Sequence, residues 1–390
     1  MEKFNPVEKI IFKQNVFGDL SEYLKKYKKV LIVTSLTPKT LYLNTLCNFL
    51  NENQVCFEVF LLKETSCNQK NLLLLASRSL GADCLVAFGL GSVCDLTKLA
   101  AKKQNIPYIV CPTAIANFAA LSNICYFKNE LKINKIECNF PEKVFVDEGL
   151  IAKSPERFIT STFSFIFSFY ETYFCEYVNN LLFSNLNFEF LNKLKEILQK
   201  TEGLINYVEI NKKTVTLNLM DNIIELFTLV YQKNLPFSAL NLAAENHTNK
   251  KNFGQNCLLS ASVLMQVYKN FWSSNLAYQD IPNIQMCLNL LANKGENEQF
   301  FFNFCENNKI FTNERFIFKA KSIKQNVLEV LEKTITKISK LSKKLSNLNS
   351  TETKCVSAKE IFDGLIYDAL KSNNKQLNAI LRLGYLNLIV

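Results

Sequence analysis

Short apolar runs alternate with longer amphipathic stretches over the first 150 or so residues. "KKVLIVTS" is a β-branched apolar run, which reads as a buried parallel strand, and "LYLNTLCNFLNEN" follows it with helical spacing. "VCFEVFLL", "CLVAF" and "PYIVC" read as further strands, with "NLLLLASRSLGA" and "SVCDLTKLAAKKQN" as the helices between them. Strands alternating with helices imply right-handed crossovers, so an α/β fold is expected whose N-terminal part is a doubly wound, Rossmann-like parallel sheet. Between Ser122 and Gly149 the pattern shortens to "NICYF", "KINKIEC" and "KVFVD", which read as a hairpin excursion.

A helix start follows in "SPERFI", with Ser as cap, Pro at the first helical position and Glu in the first turn. From there to Val390 the periodicity is almost entirely helical, broken by the polar stretch "SNLNSTETKC". The pattern therefore predicts an α/β domain over residues 1–153 and an all-helical C-terminal domain over residues 154–390. No internal repeat is present.

Composition narrows the classes of function. Hydrophobic residues make up 48% and charged residues 21%, an ordinary globular balance. The net charge of +10 is spread along the chain, and its densest run, "KTITKISKLSKKLS", has amphipathic helical spacing. A solvated helix face accounts for it, and no nucleic-acid surface is expected. The most apolar stretch, "FITSTFSFIFSFY", is too short and too rich in Ser and Thr to span a membrane, so it reads as a buried helix. Thirteen cysteines without a CxxC, and a start without a continuous apolar core, point to free thiols in a cytoplasmic protein.

The stretch "AFGLGSVCDLTK" carries the first chemistry. Gly89 and Gly91 end a strand and Ser92 opens a helix. Glycines there let a backbone approach a pyrophosphate, and the helix N-terminus offers it unpaired N–H groups. No GxSxG, GxxxxGK[ST] or HExxH accompanies it.

With the following helix, the next strand and "PTAIAN", this GxGSxxDxxK pattern resembles the iron-containing alcohol dehydrogenase and dehydroquinate synthase superfamily. It is most similar to the glycerol-1-phosphate dehydrogenases. "PEKVFVDEGLIAKSPERFI" and "AKEIFDGLIYDALKSNNKQLNAILRLGYL" extend the resemblance into the second half, where it is weaker. It implies a bound NAD or NADP, a small phosphorylated polyol as a second ligand, and assembly into oligomers. Gly89, Gly91, Ser92 and Asp95 would line the pyrophosphate and nicotinamide side, while Thr113 and Ser122 occupy positions of hydroxyls that contact the cofactor. Leu90 replaces a central glycine. Ser35 stands where an Asp often grips the adenosine ribose, so repulsion against a 2′-phosphate is absent and NADP becomes as acceptable as NAD.

The same resemblance implies a divalent metal held by one Asp and two His, which polarises the carbonyl being reduced. Here Phe165 stands at the Asp position, Phe253 at one His and Asn246 at the other, with the sole histidine, His247, one place later. Phe118 replaces an Asp that would meet substrate hydroxyls. No bound metal is therefore expected, and His247 is a weak ligand candidate. One reading is a dehydrogenase fold that keeps a dinucleotide and has lost metal catalysis. A second is an active oxidoreductase on glycerol phosphate or a similar polyol, with Lys98, Lys128 or Tyr126 as electrophile or acid. A third, a dehydroquinate synthase-type cyclase, would also need the metal.

Overall fold

The computed structural model of the chain describes residues 9–64, 66–129, 133–183, 188–231, 238–245, 253–277, 284–348, 358–371 and 374–382. They form two compact units. One combines Met1–Thr162 with Gly203–Thr228, and the other combines Phe163–Glu202 with Leu229–Val390. The boundary read near residue 153 lies just before the first switch between units. The segment Gly203–Thr228, helical in pattern, groups with the sheet.

The first unit is built on a parallel sheet of six strands in the order β1-β8-β5-β4-β2-β3. These are β1 (Ile10–Lys13), β2 (Val30–Ser35), β3 (Phe57–Leu62), β4 (Cys84–Phe88), β5 (Tyr108–Cys111) and β8 (Val144–Asp147). β6 (Ile124–Lys128) and β7 (Ile133–Glu137) form a separate antiparallel hairpin. The doubly wound sheet is thus present, with two differences from the sequence pattern. "KVFVD" leaves the hairpin and enters the main sheet as β8, paired with β1 along its length and with β5 at Val144. β1, a half-buried edge strand, and the Phe17–Leu24 helix behind it carried too little periodicity to stand out.

The central strands are continuous apolar runs because both faces are covered, and every residue of β4 and β5 is buried. Val30, Ile32, Cys84, Val86, Phe88, Ile109 and Phe145 pack against Leu20, Leu24, Leu46 and Leu50 of the helices on one face. The Ser92–Gln104 helix ends at Asn105, whose φ of +54° closes it in the left-handed conformation that Asn tolerates.

Every regular element among the described residues of the second unit is a helix. Its longest helix, Glu314–Leu348, buries Ala320, Val327, Leu331, Thr334, Ile338, Leu341 and Leu345. That alternating three- and four-residue spacing lays one stripe against the Phe169–Phe183 and Phe253–Ser273 helices. The lysines of "KTITKISKLSKKLS" lie off that stripe, as a solvated face requires. No helix among the described residues is long and apolar enough to cross a membrane.

Candidate functional site

The direction of winding reverses between β2 and β4. From β2 the chain runs outward to β3, and from β4 it runs the other way to β5. Open α/β sheets bind ligands in the crevice at such a reversal, beyond the carboxyl ends of the strands. Thr34 registers with Phe88, and Phe88 with Cys111, so Ser35, the last residue of β2, lies level with Gly89 and Pro112, where β4 and β5 leave the sheet. The Thr34 hydroxyl donates to the Phe88 carbonyl at 2.8 Å and ties the two strand ends together.

Gly89 is buried, and its N–H donates to the Cys111 carbonyl at 3.3 Å. A Cβ there would come within 3.1 Å of the Val93 side chain, so the turn into the helix is tight. Gly91 has φ +46° and ψ −112°, a conformation that a side chain would strain. Val93 donates to Leu90 O and Asp95 to Gly91 O, both at 2.9 Å, which starts the helix. Among the described residues, the N–H groups of Leu90, Gly91 and Ser92 meet no protein acceptor. Three unpaired amides at a helix N-terminus, on a half-exposed loop, make a cradle whose partial positive charge would suit an anion. Gly89, Gly91 and Ser92 are therefore gathered in one place.

Asp95 lies in the first turn of the same helix. It is buried beside Lys98, with Oδ1 3.2 Å from Nζ, and a backbone hydrogen bond reaches it from Tyr126. Burial pushes its carboxyl up, and Lys98 pulls it back. Lys98 itself donates to the carbonyls of Ala119 (3.1 Å), Ser122 (3.0 Å) and Ile124 (2.7 Å). Those three bonds use every donor of an ammonium group, so Lys98 is unsuited to act as an electrophile or acid. The other two alternatives, Tyr126 and Lys128, lie half-buried and exposed on β6.

Thr113, at the end of β5, is buried, and its hydroxyl has no protein partner among the described residues. The Ser122 hydroxyl donates to the Ile124 carbonyl at 3.3 Å. Between them, the Ile115 amide donates to Ser154 Oγ at 2.9 Å, and Thr162 Oγ1 donates to Ala116 O at 3.0 Å. Ser154, read as a helix cap, thus also anchors this second loop. Phe118 is buried edge-on against Phe227, with ring centroids 5.2 Å apart.

Two of the three positions that the resemblance assigns to metal ligands are described, and both carry phenylalanine. Phe165 is 1% exposed on the Glu156–Phe167 helix, and its ring meets Phe169 edge-on at 5.6 Å. Phe253 is half-buried at the start of its helix. Neither ring offers a donor atom. Asn246 and His247 lie outside the described residues. Among the described residues no three His, Cys, Asp or Glu side chains gather to hold a metal ion.

One cluster carried no sequence signal beyond a Glu inside "FSFYETYF". Glu171 is buried in the helical unit, and its Oε1 accepts from Tyr268 (2.7 Å), Cys175 (3.2 Å) and Asn374 (3.5 Å). Among the described residues it has no Lys or Arg ion pair. Burial pushes its carboxyl up to about 7, against the pull of Tyr268 and Cys175.

Residues 11–155 match the family described as iron-containing alcohol dehydrogenase. A glycerol-1-phosphate dehydrogenase [NAD(P)+] of Geobacillus thermodenitrificans is 26% identical over 167 residues, covering 40% of this chain and 41% of that protein. One from Methanosphaera stadtmanae is 26% identical over 151 residues, covering 39% and 43%. The matched stretch thus spans about two-fifths of the length of each relative. The fold extends further: an alcohol dehydrogenase from Oenococcus oeni superposes with a TM-score of 0.62 over 97% of both chains, at 14% identity. Likeness in sequence to the iron-containing alcohol dehydrogenases is confined to the first part of the chain, while likeness in fold to the Oenococcus enzyme extends over nearly all of it.

Proposed function

We propose that this chain, a relative of the iron-containing alcohol dehydrogenases by its first 155 residues and by its fold, binds NAD or NADP and has lost metal-dependent catalysis. It would then serve as a binding, scaffolding or regulatory protein. The observation that carries the reading is the cradle of unpaired amides at Leu90, Gly91 and Ser92, set at the reversal of strand order. Ser35 leaves no carboxylate to repel a 2′-phosphate, which supports NADP beside NAD. The relatives' names support the same dinucleotides and a small phosphorylated polyol as second ligand. Buried Phe165 and donor-less Phe253 support the loss of the metal. Its removal withdraws several kcal/mol of transition-state stabilisation from carbonyl reduction.

Those names also favour a second reading, an active NAD(P)-dependent oxidoreductase on glycerol phosphate with a relocated site. Lys98 is fully engaged, so Tyr126 or Lys128 would have to supply its acid.

Elemental analysis of native protein, beside a titration with NADH and NADPH, separates the two. The expected result is saturable dinucleotide binding without stoichiometric zinc or iron. Stoichiometric metal that disappears in His247→Ala, together with reduction of NAD(P) by glycerol-1-phosphate, would overturn the proposal. If neither dinucleotide shifts thermal stability at millimolar concentration, the glycine loop is only a strand-to-helix turn.

A further inference from the structure

The second loop, from the end of β5 to β6, has almost no regular backbone of its own. Its one element is the single 3-10 turn Phe118–Ala120, which Asn117 caps by accepting the Ala119 amide. Such a loop keeps one conformation only where other parts of the molecule hold it. Its first half is held by Ser154 at Ile115 and by Thr162 at Ala116. In its second half Phe118 packs on Phe227 and Asn123 is bonded to Cys138 and Glu137, while the carbonyls of Ala119, Ser122 and Ile124 converge on one group, the Lys98 ammonium.

Lys98 belongs to the helix that the glycine loop opens, two turns after Gly91. Its side chain is wholly shielded from solvent, which is unfavourable for an ammonium unless the position is specifically satisfied. Here it is satisfied by three carbonyls and by the nearby Asp95 carboxylate at 3.2 Å. An apolar side chain of similar length would fill the same volume, but it would take the ammonium donor from the Ala119 and Ser122 carbonyls and leave Ile124 with the Ser122 hydroxyl alone. The helix bearing the amide cradle and the loop bearing Thr113 and Ser122 are thus joined through one side chain.

We infer that Lys98 is a positioning residue for dinucleotide binding: it clamps the second loop onto the glycine-loop helix and so preforms the site between them. This rests on the dinucleotide reading above. Lys98 touches no ligand in this role, and its effect passes through the carbonyls it holds. A preformed site avoids the cost of ordering the loop when the ligand binds, so removing the clamp should weaken affinity without removing any ligand contact.

The test is a graded series, Lys98→Arg, Lys98→Gln and Lys98→Met, with more than one variant expected to fold. Two quantities are read on each: hydrogen exchange at the amides of Leu121 and Ser122, and the Kd for NADH and NADPH. Lys98→Met should raise exchange at those amides by roughly ten-fold or more while β2 and β4 stay protected. Its Kd should rise by about ten-fold. Lys98→Gln should fall between, and Lys98→Arg, which keeps the charge and the donors, should recover most of both. Affinity that stays at the wild-type level in a variant whose loop has loosened overturns the inference. So does wild-type protection of the loop in Lys98→Met. If the wild-type protein itself binds neither NADH nor NADPH, the dinucleotide reading fails and takes the inference with it, an outcome distinct from the other two.

Discussion

Two regions of this molecule handle buried charge in opposite ways. At the strand ends of the sheet unit, charged groups meet opposite charges or backbone dipoles. Lys98 collects three carbonyls, and Asp147 accepts the amides of Val16 and Leu150. Nearby in that unit, burial pushes the Glu142 carboxyl up, yet hydrogen bonds from Lys26, Tyr23 and Tyr27 outweigh it and hold it below its ordinary value. In the helical unit, Glu171 faces only neutral donors, and its carboxyl sits high. Phe165, where a metal-binding Asp would be expected, lies in an aromatic core with Phe169. The first region is a polar frame that includes three amides without a protein acceptor among the described residues. The second is a closed core that satisfies itself.

The largest effects should come from putting a ligand group into the helical unit at Phe165. Phe165→Ala is expected to destabilise by about 3–5 kcal/mol, as removal of a fully buried ring does. Phe165→Asp should do at least as much, because it buries a carboxylate without a partner. Urea denaturation midpoints measure both. A Phe165→Asp variant that keeps wild-type stability and takes up stoichiometric zinc would erase the contrast between the regions.

Next comes the pH response of Glu171. Its carboxyl is raised from an ordinary 4.5 to about 7 in the folded protein. Between those values the folded state holds a proton that the unfolded state has lost, so stability falls as pH rises. The contribution is fully present below pH 4.5 and is gone above about 7. The total is on the order of 3 kcal/mol. Glu171→Gln should flatten this part of the profile, measured as denaturation midpoints from pH 5 to pH 8. A wild-type profile that rises over the same window would mean that an unseen cation meets Glu171.

How much of this was legible in the sequence depended on where the partners lie. β4 announced itself because a strand covered on both faces must be apolar throughout, as "CLVAF" is. β1 did not, being four residues long at a sheet edge. "KVFVD" was recognisable as a strand, but nothing in it says that it pairs with β1 and β5 rather than with the hairpin it follows. Periodicity gives an element's type and not its neighbour, which is also why Gly203–Thr228 could not be assigned to the sheet unit. In the site, Gly89 and Gly91 were readable because backbone geometry restricts the residue there. The clamp of Lys98 was not, since its partners are carbonyls that every residue possesses. The three-residue spacing from Asp95 was the one available signal.

A smaller effect tests the frame itself. Gly91→Ala places a side chain at φ +46° and should cost roughly 1–3 kcal/mol of stability. No atom lies within 4 Å of the added carbon, so the cost would be backbone strain rather than collision. If the loop relaxes to relieve it, dinucleotide affinity should fall together with stability. Thermal melts read with and without NADH separate the two losses. A loss of stability with unchanged affinity would mean that the conformation of Gly91 serves the fold alone.

The smallest effect, and the most specific to the amide cradle, concerns Leu90. Its side chain stands between the two glycines on a half-exposed loop, beside three amides that meet no protein acceptor. Leu90 is not among the residues with positive φ, so its backbone conformation does not itself call for glycine. Leu90→Gly therefore tests the side chain's bulk. Relief of crowding should tighten dinucleotide binding by a few-fold, less than about 1 kcal/mol. NADH and NADPH share the pyrophosphate, so both should gain equally in a fluorescence titration. A gain for one alone would place Leu90 near the ribose instead. Weaker binding of both would show that the leucine packs against the ligand, and that this loop has adapted to hold its dinucleotide with an apolar contact where a glycine offers none.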